Sequence, residues 1–316
     1  MFSKKRRFFI AFLVTIMTFF CSACGGEGSL EPADYYISRG IEHRDNYGQY
    51  DLAIAEFNKA IKLNPNLAMA YINRGVAYGL KDQYDLAIED FNKAIELKPQ
   101  FTSAYVGRGN IYREKGQYDL AITDYNKALE VDPSYAFAYI YRGNTYKDKG
   151  QYDLAIEDFN KAMEIDPQSA ANAYFNRGSV YNLKGQYDLA IVDYSRGLEL
   201  YPDAAGAYIY RGDIYREKGQ YDLAITDYST AIELNQPIVR NAMAAGVKTK
   251  NFQDLSEQLA KAYYSKGTAL SQLGRNKDAI ECFNYFLQYA KASNKLIEKA
   301  KQQINFLGGT NRINTE

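Results

Sequence analysis

The chain reads as an all-α stack of about seven antiparallel helix-turn-helix units, closed at its C-terminal end by a covering helix. Three observations lead there. The string Tyr-Asp-Leu-Ala-Ile begins at Tyr50, Tyr84, Tyr118, Tyr152, Tyr187 and Tyr221, at spacings of 34, 34, 34, 35 and 34 residues. The pair Arg-Gly keeps step with it at Arg39, Arg74, Arg108, Arg142, Arg177 and Arg211. Within each copy apolar residues return at three- and four-residue steps, the spacing that gathers side chains on one helix face. A period of this length marks an array of copied units. It accounts for 30 tyrosines beside a single histidine and no tryptophan, in a chain whose 47% hydrophobic and 24% charged residues suit a folded protein.

Residues 1–23 read as a removable export signal. Lys4, Lys5, Arg6 and Arg7 precede 13 mostly apolar residues, Phe8 to Phe20, too few for the roughly 20 that span a bilayer. The segment ends in Cys21-Ser22-Ala23-Cys24, which resembles the lipobox of bacterial lipoproteins. That resemblance implies an acyl chain on Cys24, a tether over residues 24–32, and a repeat domain held outside the cytoplasm by a lipid anchor alone. Gly25, in place of a retention aspartate, favours the outer membrane. Cys21 stands where leucine is usual, so ordinary cleavage after Ala23, giving a secreted soluble protein, stays open. Cys21 and Cys24 also spell a C-x-x-C, but cleavage separates the two sulfurs and leaves Cys282 as the other thiol, so neither redox chemistry nor a disulfide framework follows.

Without its first 23 residues the chain carries 34 basic and 38 acidic residues, a net charge of 34 − 38 = −4. Nucleic-acid binding rests on clustered Lys and Arg that displace counterions. No nucleic acid is therefore expected.

The units start near residues 33, 68, 102, 136, 171, 205 and 261 and fill 33–290, the seventh being a weaker copy with Lys266-Gly267 and Asn276-Lys277-Asp278-Ala279-Ile280. In the second unit, Tyr71, Gly75 and Tyr78 mark one helical face, and Leu86, Ala87, Phe91, Ala94 and Ile95 another. Between them Lys81-Asp82-Gln83, like Lys115-Gly116-Gln117 one unit on, interrupts the pattern where a left-handed residue ends a helix. The motif Asp-Pro or Lys-Pro, as at Pro99 and Pro133, ends the second helix, because proline cannot continue the ladder and keeps its predecessor extended.

The period and the positions Tyr71, Gly75, Tyr78, Ala87, Phe91 and Pro99, repeated as Tyr105, Gly109, Tyr112, Ala121, Tyr125 and Pro133, resemble the tetratricopeptide repeat family. The resemblance implies a right-handed superhelical solenoid whose first helices line a concave groove for a protein or peptide.

Small residues point to close packing. Gly40, Gly75, Gly109, Gly143, Gly178, Gly212 and Gly267 sit mid-helix, where glycine costs about 1 kcal/mol against alanine. Ala53, Ala87, Ala121, Ala155, Ala190, Ala224 and Ala279 take the facing position in the second helix. The Arg before each glycine shares its period with an acid, Glu56, Asp90, Asp124, Asp158, Asp193 or Asp227, and six structural ion pairs are predicted.

Partner-binding residues are sought where the copies differ. Offsets that face the groove in the resembling family hold Asn110, Arg113, Tyr141, Asn144, Lys147, Asn176, Tyr210 and Arg216, donors and rings suited to a peptide's carbonyls or a carboxylate. Two segments break the rhythm. An insertion at about 235–257, with Pro237 and Gly246, reads as a loop or short helix before a lengthened first helix of the seventh unit. Residues 291–307 read as the capping helix, on Leu296, Ile304 and Leu307, and 308–316 as a disordered tail.

No metal cluster, nucleophile elbow or phosphate loop is present in the sequence, and His43 is assigned a packing role. The chain is therefore expected to be no enzyme and to need no cofactor, metal or small-molecule substrate. The leading function is a membrane-anchored protein-interaction scaffold in the cell envelope, for example in envelope or pilus assembly. The alternative is a glycan binder that stacks sugars on groove tyrosines such as Tyr141 and Tyr210.

Overall fold

The structure, a computed structural model, describes residues 32–45, 48–167, 170–247, 250–291 and 293–309. The signal, Cys24, the tether up to residue 31 and the tail beyond 309 lie outside these residues. The described residues form fifteen α-helices in two compact units, Met1–Asp166 and Pro167–Glu316. In the first unit the helices are α1 (Pro32–Asp45), α2 (Tyr50–Leu63), α3 (Ala68–Leu80), α4 (Tyr84–Leu97), α5 (Thr102–Glu114), α6 (Tyr118–Val131), α7 (Ala136–Asp148) and α8 (Tyr152–Ile165). In the second they are α9 (Ala171–Leu183), α10 (Tyr187–Leu200), α11 (Ala205–Glu217), α12 (Tyr221–Ala244), α13 (Lys250–Gln272), α14 (Asn276–Tyr289) and α15 (Ile297–Phe306). Within each unit, every first helix packs on its own second helix, and that helix packs on the first helix of the next hairpin.

The turns form for the reasons the residues suggest. After α5 the chain passes through Gly116 at φ +74°, where the Gln117 amide donates back to the Tyr112 carbonyl at 2.8 Å and the Gly116 amide to Arg113 at 3.0 Å. These two bonds satisfy carbonyls that the helix end would otherwise orphan. After α3 the same left-handed position is held by Asp82 at φ +60°. The second helices stop at Asn64, Lys98, Asp132, Asp166 and Tyr201, all extended with φ between −133° and −145° and all followed by proline.

The sixth hairpin departs from this rule: where a loop or short helix is expected before a lengthened first helix, the second helix of the sixth hairpin is itself lengthened. Helix α12 runs 24 residues, straight through Pro237, and ends only at Gly246, whose φ is +66°. An interior proline costs about 3 kcal/mol. Packing on the equally long α13 offsets it, with Val239 and Leu259 fully buried and Phe252 and Leu255 against the same core. The described part of the insertion is thus helical extension of α12 and α13.

The core repeats with the hairpins. Ala53, Ala87, Ala121, Ala155, Ala190, Ala224 and Ala279 are all wholly buried. Over the mid-helix glycines, however, stand aromatic rings of the second helix: Phe57 over Gly40, Tyr125 over Gly109, Phe159 over Gly143, Tyr228 over Gly212 and Phe283 over Gly267. An added Cβ would meet these rings at 2.4–2.9 Å, so glycine makes room for a ring. The leucine of the repeated string faces the other way. The three- and four-residue spacing places Leu86 on the inward face, yet it and its counterparts are exposed, because the buried stripe begins at the alanine that follows.

At the C-terminal end α15 packs on α14, with Ala300 and Ile304 buried. Phe286, at a position that is Ala or Gly in the other hairpins, is also buried and meets Tyr264 edge-on at 5.2 Å. No helix among the described residues is long and apolar enough to cross a membrane.

Candidate protein-binding surface

Five of the six predicted arginine pairs form, and all five are bidentate. Arg108 Nε and Nη2 donate to the two oxygens of Asp124 at 2.8 and 2.7 Å. Arg74–Asp90, Arg142–Asp158, Arg177–Asp193 and Arg211–Asp227 repeat the geometry with contacts of 2.6 to 2.9 Å. A third nitrogen reaches back to the preceding hairpin: Nη1 of Arg108 donates to Asn92 at 2.5 Å, and that of Arg142 to Asn126 at 2.6 Å. Each guanidinium also lies over tyrosines, Arg142 at 5.4 Å from Tyr139 and 6.0 Å from Tyr146.

These rings sit three residues before and four after the arginine, on its own helix face. The arginines therefore tie hairpins together and are not a ligand site. Hydrogen bonds to Asp124 hold the Arg108 guanidinium above its ordinary pKa. Burial lifts the Asp90 and Asp158 carboxyls although each faces a guanidinium, a sign that pairing only offsets the lost hydration.

The sixth pair, Arg39–Glu56, does not form. Glu56 instead accepts from Lys59 at 2.9 Å and leaves Oε2 buried without a partner, while Arg39 lies over Tyr35 at 5.7 Å. The longer Glu carboxylate, one methylene further from its backbone, meets a lysine on its own helix first.

A second ladder, missed in the sequence, runs along the hairpin turns. Lys81, Lys115 and Lys149, at the ends of α3, α5 and α7, each reach the aspartate at the start of the preceding hairpin's second helix: Asp51, Asp85 and Asp119. Lys218 and Asp188 repeat the contact in the second unit. These aspartates are more than four-fifths exposed, so each pair stabilises by only about 0–1 kcal/mol.

The eight groove candidates divide by unit. In the first, Asn110, Tyr141, Asn144 and Lys147 are buried rather than open to solvent. Asn110 Oδ1 accepts from the Tyr125 hydroxyl at 2.8 Å, and Asn144 Oδ1 from Lys147 Nζ at 2.7 Å. Their amide nitrogens, Nδ2 of Asn110 and of Asn144, are buried with no hydrogen-bond partner. Arg113 reaches across one hairpin to Asp148 at 2.5 and 3.0 Å. Burial opposes its charge, but Asp148 and Tyr125 outweigh burial and keep its pKa raised. Tyr141 lies 6.2 Å from Tyr125, and burial lifts both phenols far above their ordinary value. A sugar cannot stack on a ring so enclosed, which removes one of the two platforms proposed for a glycan.

In the second unit Asn176 donates to the Asn172 carbonyl at 2.8 Å on its own helix. Tyr210 is 52% exposed and stacks on Tyr194 at 6.1 Å, which stacks on Phe175 at 6.3 Å. Lys261 Nζ sits 5.0 Å from the Tyr210 ring and 2.7 Å from Asp213, which also accepts from Tyr228 at 2.8 Å. Arg216 donates to Glu217 at 2.9 Å and keeps its Nε buried without a partner. Asp148 and Lys261 were not read as site residues. Lys261 follows the insertion, where the repeat supplies no offset to count from. His43 is half-buried and hydrogen-bonds Gln49 at 2.9 Å.

Solved structures similar to the chain include the C-terminal part of a TPR repeat-containing protein from Cytophaga hutchinsonii. It is 22% identical with a TM-score of 0.59, over 86% of this chain and 98% of that one. A thermophilic TPR protein of Thermus thermophilus is similar at 21% identity and a TM-score of 0.51, over 58% and 98%. The Cut9–Hcn1 hetero-tetramer matches at 18% identity and a TM-score of 0.59, over 87% of this chain and 52% of that one. At these identities the likeness is one of fold. No curated protein matches the sequence. Family profiles described as "TPR repeat" match residues 47–82 and 109–150, and those described as "Tetratricopeptide repeat" match 68–101, 136–169, 171–204, 205–236 and 260–293. Profiles that cover most of the chain, on hairpins of the same period, mean that the protein belongs to the tetratricopeptide repeat family.

Proposed function

We propose that this protein is an exported, lipid-anchored scaffold that holds an extended segment of a partner protein against the first helices of its hairpins. The observation that carries the reading is the pair of buried, unpartnered amide donors, Asn110 Nδ2 and Asn144 Nδ2, one repeat apart on α5 and α7. A buried donor left unmet costs about 1–3 kcal/mol. Two such donors at the same register suit the carbonyls of an extended chain. The basic stretch, short apolar run and Cys24 of the N-terminus support the export and anchoring part of the proposal, and an envelope partner follows from that location.

The test has two steps. Cross-linking in the native envelope identifies the partner, and mass spectrometry of the mature N-terminus reads the acyl chain on Cys24. The double variant Asn110→Asp/Asn144→Asp keeps the acceptors for Tyr125 and Lys147 but removes the free donors. It is expected to weaken the partner about tenfold or more with the fold intact by circular dichroism. Unchanged affinity in a folded double variant refutes the assignment.

A further inference from the structure

The leucine of the repeated string is an apolar side chain that the first six hairpins all leave in water. In the first unit Leu52, Leu86, Leu120 and Leu154 are 50, 42, 48 and 41% exposed, and in the second Leu189 and Leu223 are 47 and 48% exposed. Three residues on, also exposed, the copies differ freely: Ala55, Glu89, Thr123, Glu157, Val192 and Thr226. Solvent contact alone thus tolerates any residue on this side of the second helix, yet the leucine is the same in all six of these copies. Three of the four leucines of the first unit follow the aspartate of a lysine pair, so the row alternates leucine with Asp51–Lys81, Asp85–Lys115 and Asp119–Lys149. Those three rungs are neutralised within the chain.

We propose that the leucine row of the first unit is a self-association surface, which meets the same row on a second copy of this chain. Two features select that occupant. A two-fold interface joins one patch to itself, and a row of identical rungs is self-complementary in this sense: two rows laid antiparallel set leucine against leucine along their whole length. A partner without repeats has no use for identical rungs. Charge agrees, since rungs that carry an aspartate and a lysine already paired bring no net repulsion when two rows approach. Four leucines at this exposure offer on the order of 300 Å² of apolar surface per copy. With the flanking tyrosine rings and lysine stems from both copies, the buried area reaches only about 1,000–1,200 Å², the range of weak, reversible association.

Sedimentation velocity of the processed chain, between 1 and 100 µM (about the range for so small an interface), is expected to show a shift from monomer to dimer mass. Leu86→Glu/Leu120→Glu should raise the dimer dissociation constant tenfold or more and leave the melting curve unchanged. Independently, in a chain carrying Cys24→Ser, Leu120→Cys should give a disulfide-linked dimer under mild oxidation, because the remaining native Cys282 is buried. A parent chain that stays monomeric throughout, a dimer indifferent to the two glutamates, or a Leu120→Cys chain that cross-links only to a different protein overturns the proposal.

Discussion

Removing the carboxylate of Asp124 is the sharpest test of what holds the hairpins together. In the Arg108–Asp124 pair the aspartate side chain is 5% exposed and the guanidinium 21%, so Asp124→Ala strands a cation that keeps only Asn92 and the Tyr105 ring for company. Breaking a buried pair costs about 3–5 kcal/mol, and the partial hydration of Arg108 lowers this to about 2–4 kcal/mol. The built-in comparison is Lys115–Asp85, 2.6 Å long but with an aspartate 86% exposed, for which Asp85→Ala should cost about 0–1 kcal/mol. Urea unfolding followed by far-ultraviolet circular dichroism reads both. Arg108→Leu/Asp124→Leu supplies a further control, since replacing both charges removes the stranded ion and should destabilise less than Asp124→Ala alone. Equal costs for Asp124→Ala and Asp85→Ala would refute the view that burial, rather than the mere presence of an ion pair, makes the arginine series structural.

Two glycine classes should fail for different reasons. Gly116 has φ +74° and nothing within 4 Å of an added Cβ, so Gly116→Ala should cost about 1–2 kcal/mol of pure backbone strain. Gly109→Ala would set a Cβ 2.8 Å from the Tyr125 ring and should cost about 1–3 kcal/mol by overpacking. The two part when Tyr125→Ala is added, which should relieve Gly109→Ala and leave Gly116→Ala unchanged. Burial pushes the Cys282 thiol up to about 11, so at pH 8 about one part in a thousand is thiolate. Alkylation should be slow in the native protein and prompt in urea; fast native labelling would contradict the packing of α14.

Local periodicity carried most of the fold. The turn at Gly116, the break before Pro133 and the Arg108–Asp124 pair could be read because each depends on residues at fixed offsets within one repeat. The tyrosines that flank each arginine were legible in principle, three before and four after, but the same residues also satisfied a packing pattern and drew no separate attention. Pro237 misled because the rule that proline stops a helix is local, whereas Val239 against α13 is a tertiary gain. Leu86 misled for a related reason: a three- and four-residue pattern cannot tell the buried edge of a stripe from the exposed one when a leucine sits beside an alanine. The groove candidates were chosen as positions that vary, and variation has two causes. Arg113 varies because its hairpin bonds Asp148; Tyr210 varies and is open to solvent.

That distinction bears on how the scaffold binds. In the proposed binding mode Asn110 and Asn144 keep their Oδ1 atoms committed to Tyr125 and Lys147, and a guest meets the two buried Nδ2 donors only where the side chains around them give way. Each unmet donor weakens the free protein by about 1–3 kcal/mol, a loss small enough for the buried arginine pairs of the same unit to carry. Stability is thus concentrated at positions that repeat, whereas the unmet donors of Asn110 and Asn144 lie at a position that differs among the hairpins. A copied unit can acquire a specific guest only by this separation, because any residue that served both packing and recognition would have to be the same in every hairpin.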